Sequence, residues 1–338
     1  MTKVLVIKMT ALGDVAAALA PMEQICRHHA GGEIWLLTSP EAKSLFAHHP
    51  FFQVRTVNRD NFFGRDGVFS TIKWVRAMGF DRIFDLQGNK VSYRLCKWSK
   101  SPERIGTQPN PAYTKSVPTK WVRTVKHNVI TRLNKTLAAG GINPATEPGP
   151  LYASKEDIQG VAMFKSLHGL KPKHFAVLHA GSSPEWLSKR WPADYFAQLI
   201  EMMELYGISC VMTGSPVERD INARITVNAG IDATGVLSVR QLYVLARDAL
   251  FAVSNDSAPM HVFSQTGIPV FALFGPTNYK WSHGFNQRAN VVTVSMPCSP
   301  CFKATCPPDK GHVCMENLTP DLVFARIIKK LGESGKIG

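Results

Sequence analysis

FAVSNDSAPMHVFSQTGIPVFALFGPT, residues 251–277, holds the pattern that decides the fold. Residues 251–254 and 268–274 are continuous apolar runs of strand length, and the stretch between them, about 257–265 and stopped by Gly267, has the spacing of a short helix. Two strands that are apolar on both faces and joined by one helix form the βαβ unit of a parallel sheet. Such sheets hold their ligands outside the carboxyl ends of the strands, which is where Asn255, Asp256 and Ser257 fall. A helix that starts there aims unpaired N–H groups and the positive end of its dipole at the crevice, a natural seat for phosphate. The plainer reading gives Asp256 or Ser257 the task of capping the helix and packs His261 internally.

The same alternation runs outward in both directions. Residues 3–8 read as a buried strand, 9–14 as a turn and 15–28 as a helix, so Asp14 stands where the first strand hands over to the first helix; as a plain structural residue it would be that helix's cap. Further strands are read at 33–37 and at 82–86, the latter running into Asp85-Leu86-Gln87-Gly88-Asn89. Residues 101–118, rich in Pro, Ser, Thr and Lys, read as a loop over the crevice, and 144–150 as the exit from the domain. A strand at 174–179 opens a second domain and runs into Gly181-Ser182-Ser183 and then Lys189-Arg190-Trp191-Pro192. Small residues followed by a lysine can hold phosphate by amide, hydroxyl and point charge; the plainer reading is a polar turn with Lys189 in water. After a strand at 208–213, Glu218 falls in the first turn of a helix, where an acid complements the dipole or, functionally, grips sugar hydroxyls. The expected organisation is a doubly wound domain over 1–165, a second over 166–320, and a closing helix and tail over 321–338.

With 338 residues, 45% of them apolar and 19% charged, the composition is that of a folded chain with room for two cores. No apolar run approaches membrane-spanning length and no secretory leader is read at the N-terminus, so the expected address is cytoplasmic. Net charge is +14 and unevenly placed: residues 1–170 hold 23 basic against 12 acidic residues, and 90–135 alone hold 11 basic residues and one acid, Glu103. That concentration, which includes Lys90, Arg94, Arg104 and Arg123, points to an anionic partner of the first domain. The pairs Lys73-Trp74, Lys97-Trp98 and Lys120-Trp121 suit an anionic membrane headgroup layer, a single-stranded nucleic acid, or a solvated surface with the indole half-buried. GxGxxG and GxxxxGK[ST] are both missing from the chain, which argues against a dinucleotide oxidoreductase and a P-loop enzyme.

Four stretches in order, KMTALGDVAAALAP (8–21), FDLQGN (84–89), HAGSS with SKRWP (179–192), and SNDSAPMH with PVFALFGPT (254–277), resemble glycosyltransferase family 9, the lipopolysaccharide core heptosyltransferases. The resemblance runs nearly end to end. It implies a GT-B fold, two Rossmann-like doubly wound domains facing across a cleft, with the acceptor on the first and the nucleotide sugar on the second. It further implies an inverting transfer of heptose from ADP-heptose to the anionic inner core of lipopolysaccharide at the cytoplasmic face of the inner membrane, with no metal required for catalysis. Carried over, the catalytic base falls on Asp14, the donor contacts on Ser182, Ser183, Lys189, Asp256, Ser257, Ala258 and His261, the sugar or ribose carboxylate on Glu218, and the adenine near 235–237. Ala258 stands where the family often has Gly. Another nucleotide sugar, a protein hydroxyl as acceptor, or, from a different class, a nucleic-acid-binding role for the basic run are the alternatives; no nucleic-acid motif accompanies that run, and no nucleic-acid partner is expected.

Cysteines 298, 301, 306 and 314 are spaced C-x2-C-x4-C-x7-C, which fits a structural tetrathiolate zinc or iron site, free thiols in a rigid loop, or disulfides. Cys26, Cys96 and Cys210 read as core residues.

Overall fold

The computed structural model describes residues 1–118, 128–333 and 335. The chain divides into two compact units, Met1–Tyr152 and Ala153–Gly338. The helix Lys155–Leu167, assigned to the first domain by the sequence reading, therefore opens the second. A Ser154/Asp157 capping box starts it, and Val161 and Phe164 lie in the second unit's core.

In the first unit six strands, β1 (Lys3–Ile7), β2 (Glu33–Thr38), β3 (Phe52–Thr56), β4 (Arg82–Asp85), β5 (Glu103–Gly106) and β6 (Lys115–Ser116), form one sheet in the order β3-β2-β1-β4-β5-β6. Every pairing is parallel; Ile7 stands opposite Leu37 on one side and Asp85 on the other. The stretch 101–118, expected as a loop, supplies β5 and the edge strand β6. Its polar composition hides three buried anchors, Ile105, Tyr113 and Val117, and the Tyr113 hydroxyl donates to Asp85 Oδ2 at 2.6 Å.

The second unit repeats the plan. β7 (Phe175–His179), β8 (Ser209–Gly214), β9 (Ile231–Thr234), β10 (Phe251–Asn255), β11 (Val270–Phe274) and β12 (Val291–Thr293) pair in the order β12-β11-β10-β7-β8-β9, again all parallel. Side chains alternate across a strand, so Phe251, Val253, Phe271 and Leu273 enter one core layer while Ala252, Val270, Ala272 and Phe274 enter the other. Helices Ala193–Leu205 and Pro320–Glu333 cover the first layer through Leu199, Ile200, Val323 and Ile327; helices Val239–Asp248 and Ala258–Ser264 cover the second through Leu245, Met260 and Phe263. Burial on both faces is why these strands read as unbroken apolar runs. The closing helix is thus part of the second unit's core rather than an appendage.

Each sheet therefore reverses direction once, between β1 and β4 in the first unit and between β10 and β7 in the second. At such a reversal neighbouring loops diverge and leave a crevice.

Because each unit has its own core, Phe271→Ala is expected to cost about 3–5 kcal/mol. It should speed amide hydrogen exchange in the strands of the second unit and leave β1 and β4 at wild-type protection.

Candidate functional site

At the reversal of the first sheet the chain leaves β1 through Lys8 and returns to a helix, Leu12–Ala16. Asp14 is exposed in the first turn of that helix; the cap position is Ala11 and no side chain caps it. Asp14 is therefore not the cap. The loop after β4 is built on Asp85, a fully buried carboxylate whose Oδ1 accepts from Gln87 N (2.8 Å) and Gly88 N (2.9 Å) while Oδ2 accepts from Tyr113. Burial pushes the Asp85 carboxyl up, and the bonds from Ser92, Tyr113, Gly88 and Gln87 oppose this. Gln87 Oε1 accepts from Met9 N at 3.1 Å and so ties the two crevice loops together.

Lys8, only 3% exposed, sits under this crevice. Burial holds its ammonium below the ordinary lysine range, the charges of Asp14 and Asp85 oppose that, and Arg132 reinforces it. Arg132 is likewise lowered by burial and raised by Asp14. Two cations thus act on the one exposed carboxylate. Sequence reasoning placed Lys8 only as the last residue of the first buried strand; the available signal was a lysine at the carboxyl end of that strand, where such sheets hold their ligands.

The second reversal gathers most of the expected donor residues. Lys189 Nζ lies 2.9 Å from Asp256 Oδ2, with the two side chains 19% and 8% exposed, and the same oxygen accepts from Thr277 Oγ1 at 2.7 Å. Ser257 occupies the cap position of helix Ala258–Ser264 without a side-chain cap bond; its hydroxyl lies 3.2 Å from that of Ser254. Neither Asp256 nor Ser257 does the capping that a purely structural role would require. The first-turn N–H groups have no intrahelical partners, except at Pro259, which has none to offer. Ala258 is half-buried at the start of this helix and His261 is buried one turn in. Ser182 accepts from Arg190 Nε at 3.2 Å and donates to Trp186 O at 2.9 Å, Ser183 is exposed, and Lys189 lies 4.8 Å over the Trp186 ring.

Asn255, fully buried, holds this loop in place: its Nδ2 donates to Ala180 O (2.7 Å) and its Oδ1 accepts from Trp191 N (3.2 Å). Glu218 closes a capping box with Ser215, accepting from Ser215 N at 2.7 Å, while its other oxygen lies 3.7 Å from His179 Nε2. Burial lowers the His179 imidazole against the pull of Glu218. A Cβ at Gly181 would come within 1.4 Å of Glu218 Oε1, so a larger residue there would displace that carboxylate. The His179–Glu218 contact was not read from the sequence, where His179 looked like the end of a strand. The loop expected to meet an adenine begins with Gly235 in the left-handed region (φ 73°), with Val236 exposed.

The basic residues divide. Lys90 and Arg94 are exposed, whereas Arg104 spends its guanidinium on the carbonyls of Ala112 (2.8 Å) and Ser101, bracing the turn between β5 and β6. Arg123 and the pair Lys120-Trp121 lie outside the described residues. Trp74 packs on Trp35 and Phe80 beneath Arg55 and is no free surface indole; Trp98 is 53% exposed. Phe62, Phe63 and Phe69 are exposed as well, with Arg94 5.9 Å over Phe62 and Lys73 4.7 Å over Phe69. None of the seven cysteines is in a disulfide; Cys298, Cys301, Cys306 and Cys314 line one cavity of about 60 Å³. Among the described residues no helix is long and apolar enough to cross a membrane.

A family model described as glycosyltransferase family 9 (heptosyltransferase) matches residues 68–312. The chain is 24% identical over 329 residues to lipopolysaccharide heptosyltransferase 1 of Pseudomonas aeruginosa, covering 90% of this chain and 87% of that one. It is 30% identical over 149 residues to lipooligosaccharide heptosyltransferase 2 of Campylobacter jejuni, covering 42% of this chain and 47% of the relative, so it spans about half that relative's length. The solved structure of E. coli ADP-heptose LPS heptosyltransferase II superposes with a TM-score of 0.72 at 17% identity, covering 99% of this chain and 100% of that one. The fold is accordingly the GT-B class expected from the sequence, built from two Rossmann-like doubly wound units.

Gly181→Ala should cost about 1–3 kcal/mol by forcing Glu218 aside. The same methyl placed in a Glu218→Ala background should cost much less, a non-additivity that a double-mutant cycle of denaturant unfolding will resolve.

Proposed function

The chain belongs to glycosyltransferase family 9, the heptosyltransferase family, and from that premise we propose that it moves a heptose from ADP-L-glycero-D-manno-heptose to the inner core of lipopolysaccharide, inverting the anomeric carbon and using no catalytic metal. The observation that carries the reading is the Lys189–Asp256–Thr277 cluster at the reversal of the second sheet, where a doubly wound sheet takes its ligand. The relatives' names, heptosyltransferases of lipopolysaccharide and of ADP-heptose, support the donor and the acceptor.

In this reading the Lys189 ammonium, the Ser182–Ser183 loop and the amides at Ser257 and Ala258 hold the diphosphate. Glu218 and the 235–237 loop serve the ribose or sugar and the base. Asp14 accepts the proton of the acceptor hydroxyl as its oxygen bonds to the anomeric carbon. The electrons of the breaking C–O bond pass to the β-phosphate oxygen, and ADP leaves with its new charge met by Lys189 and the amides. General-base assistance is worth ~10²–10⁴-fold, roughly 3–5 kcal/mol of barrier. Exposed Lys90 and Arg94 draw the phosphorylated, acidic acceptor, and Phe62, Phe63 and Phe69 with their cations rest the chain on the cytoplasmic face of an anionic membrane.

ADP is expected to raise the thermal midpoint more than UDP or GDP, because only a ligand that prefers the folded state stabilises it; Lys189→Ala should abolish that rise. Asp14→Asn should keep the rise and lose about 10²–10⁴-fold in turnover, whereas retention of near wild-type turnover would reduce Asp14 to a first-turn acid that complements the helix dipole. In co-sedimentation, Phe63→Ser should weaken binding to acidic vesicles about tenfold, in line with the ~1.5–3 kcal/mol of burying one Phe, and equal wild-type binding to neutral vesicles would count against the membrane contact.

A further inference from the structure

The four-cysteine segment bears directly on the geometry of the donor loops. Cys298, Cys301, Cys306 and Cys314 all face one cavity of about 60 Å³, far below the ~300–1,000 Å³ that organic ligands occupy. Lys303 and Lys310 line the same cavity. The chain takes the left-handed conformation at Phe302 (φ 55°), directly after Cys301, and at Gly311 and His312 (both φ 53°), just before Cys314. For non-glycine residues such turns cost of order 1 kcal/mol or more and persist only where the surroundings impose them. Among the described residues no three ligating side chains stand ready in coordination geometry, so an ion would have to draw the thiols together itself.

The segment also grips both loops of the donor site through their main chain. Ser188, the neighbour of Lys189, donates its N–H to Ala304 O (3.0 Å) and its hydroxyl to Lys303 O (2.6 Å), and its carbonyl accepts from His312 Nε2 (2.7 Å). On the other side Phe302 N donates to Pro276 O (2.8 Å) and Ser299 donates to Gly275 O. One residue further, Thr277 binds Asp256. A Cβ on Gly275 would lie 2.8 Å from Cys314 Sγ, so the loop and the cysteine are in close approach.

We propose that the four cysteines bind one thiophilic dication, zinc or ferrous iron, and that the closed segment sets the position of Lys189 and Asp256. Four thiols take up one M²⁺ and release four protons; the resulting site carries two negative charges, which Lys303 and Lys310 offset. A closed tetrathiolate has no open position and acts structurally. The metal site stands by itself, while its effect on the donor rests on reading Lys189 as a diphosphate ligand.

The test starts from full-length chain purified under reductant and loaded separately with zinc, ferrous iron or cobalt(II). Elemental analysis should find about one zinc or iron per chain, and the cobalt form should show thiolate-to-cobalt charge-transfer absorption. In Cys298→Ser/Cys301→Ser both signals should fall at least tenfold, and calorimetric ADP affinity should weaken about five- to tenfold although no substrate contact is altered. Metal at background in the wild type, a wild-type cobalt form without thiolate absorption, or unchanged metal content in the variant would overturn the site. If the variant does not fold, chelation of folded wild type supplies the same comparison. Metal loss with unchanged ADP affinity would overturn the positioning role. A wild type that holds metal and ignores ADP would sink the donor reading and leave the metal site standing.

Discussion

A parallel sheet that changes winding direction must leave a gap between the loops on either side of the change, and in both units the candidate site residues lie on the loops at that change. Strand order decides which residues meet. Because β1 lies beside β4, the Lys8–Asp14 loop meets the Asp85–Asn89 loop, and Met9 and Gln87 can bond across them. Because β7 lies beside β10, the loop carrying Lys189 falls against Asp256 although 67 positions separate them in sequence. Helix ends and local motifs add detail to a placement that sheet topology has already imposed.

The two gaps are held open by different means. In the first unit a buried carboxylate, Asp85, collects two amides and a tyrosine hydroxyl, bonds to its charged form that offset part of its desolvation. In the second unit the loops are kept narrow by absent side chains and by a buried amide: Gly181 makes room for Glu218, Gly275 for Cys314, and Asn255 spans the loop after β7 from Ala180 to Trp191. Lys189 then has little freedom. It is pinned by Asp256 at its tip, and the preceding residue is fixed by three main-chain and hydroxyl bonds to the cysteine segment.

Much of this was legible in the residue order. The strands of the second unit stand out because burial on both faces demands unbroken apolar runs, and Asp14, Lys189 and Asp256 were placed by their position at strand ends. The misreadings have physical causes. Strand β6 is an edge strand of two residues and β5 beside it has only four, both set in polar sequence, so the buried anchors in and around them, Ile105, Tyr113 and Val117, make no periodic signal. Arg104 counted as a free cation because composition does not show that its guanidinium is consumed by backbone carbonyls. For Trp74 the half-buried alternative holds, and the residue order does not show that Trp35 and Phe80 are the partners that cover it. Lys8 and His179 were missed since their meaning lies in burial beside a carboxylate, a property of the fold and not of the neighbours in the chain.

The central claim is that the reversal point of the second sheet is where a nucleoside diphosphate sits. A crystal structure of the chain grown with ADP addresses it most directly. The diphosphate oxygens should lie about 2.7–3.2 Å from Lys189 Nζ and from donors of the Ser182–Ser183 loop or the start of helix Ala258–Ser264. Density for ADP elsewhere, with the contact between Lys189 and Asp256 undisturbed and its surroundings filled by solvent, would contradict the account.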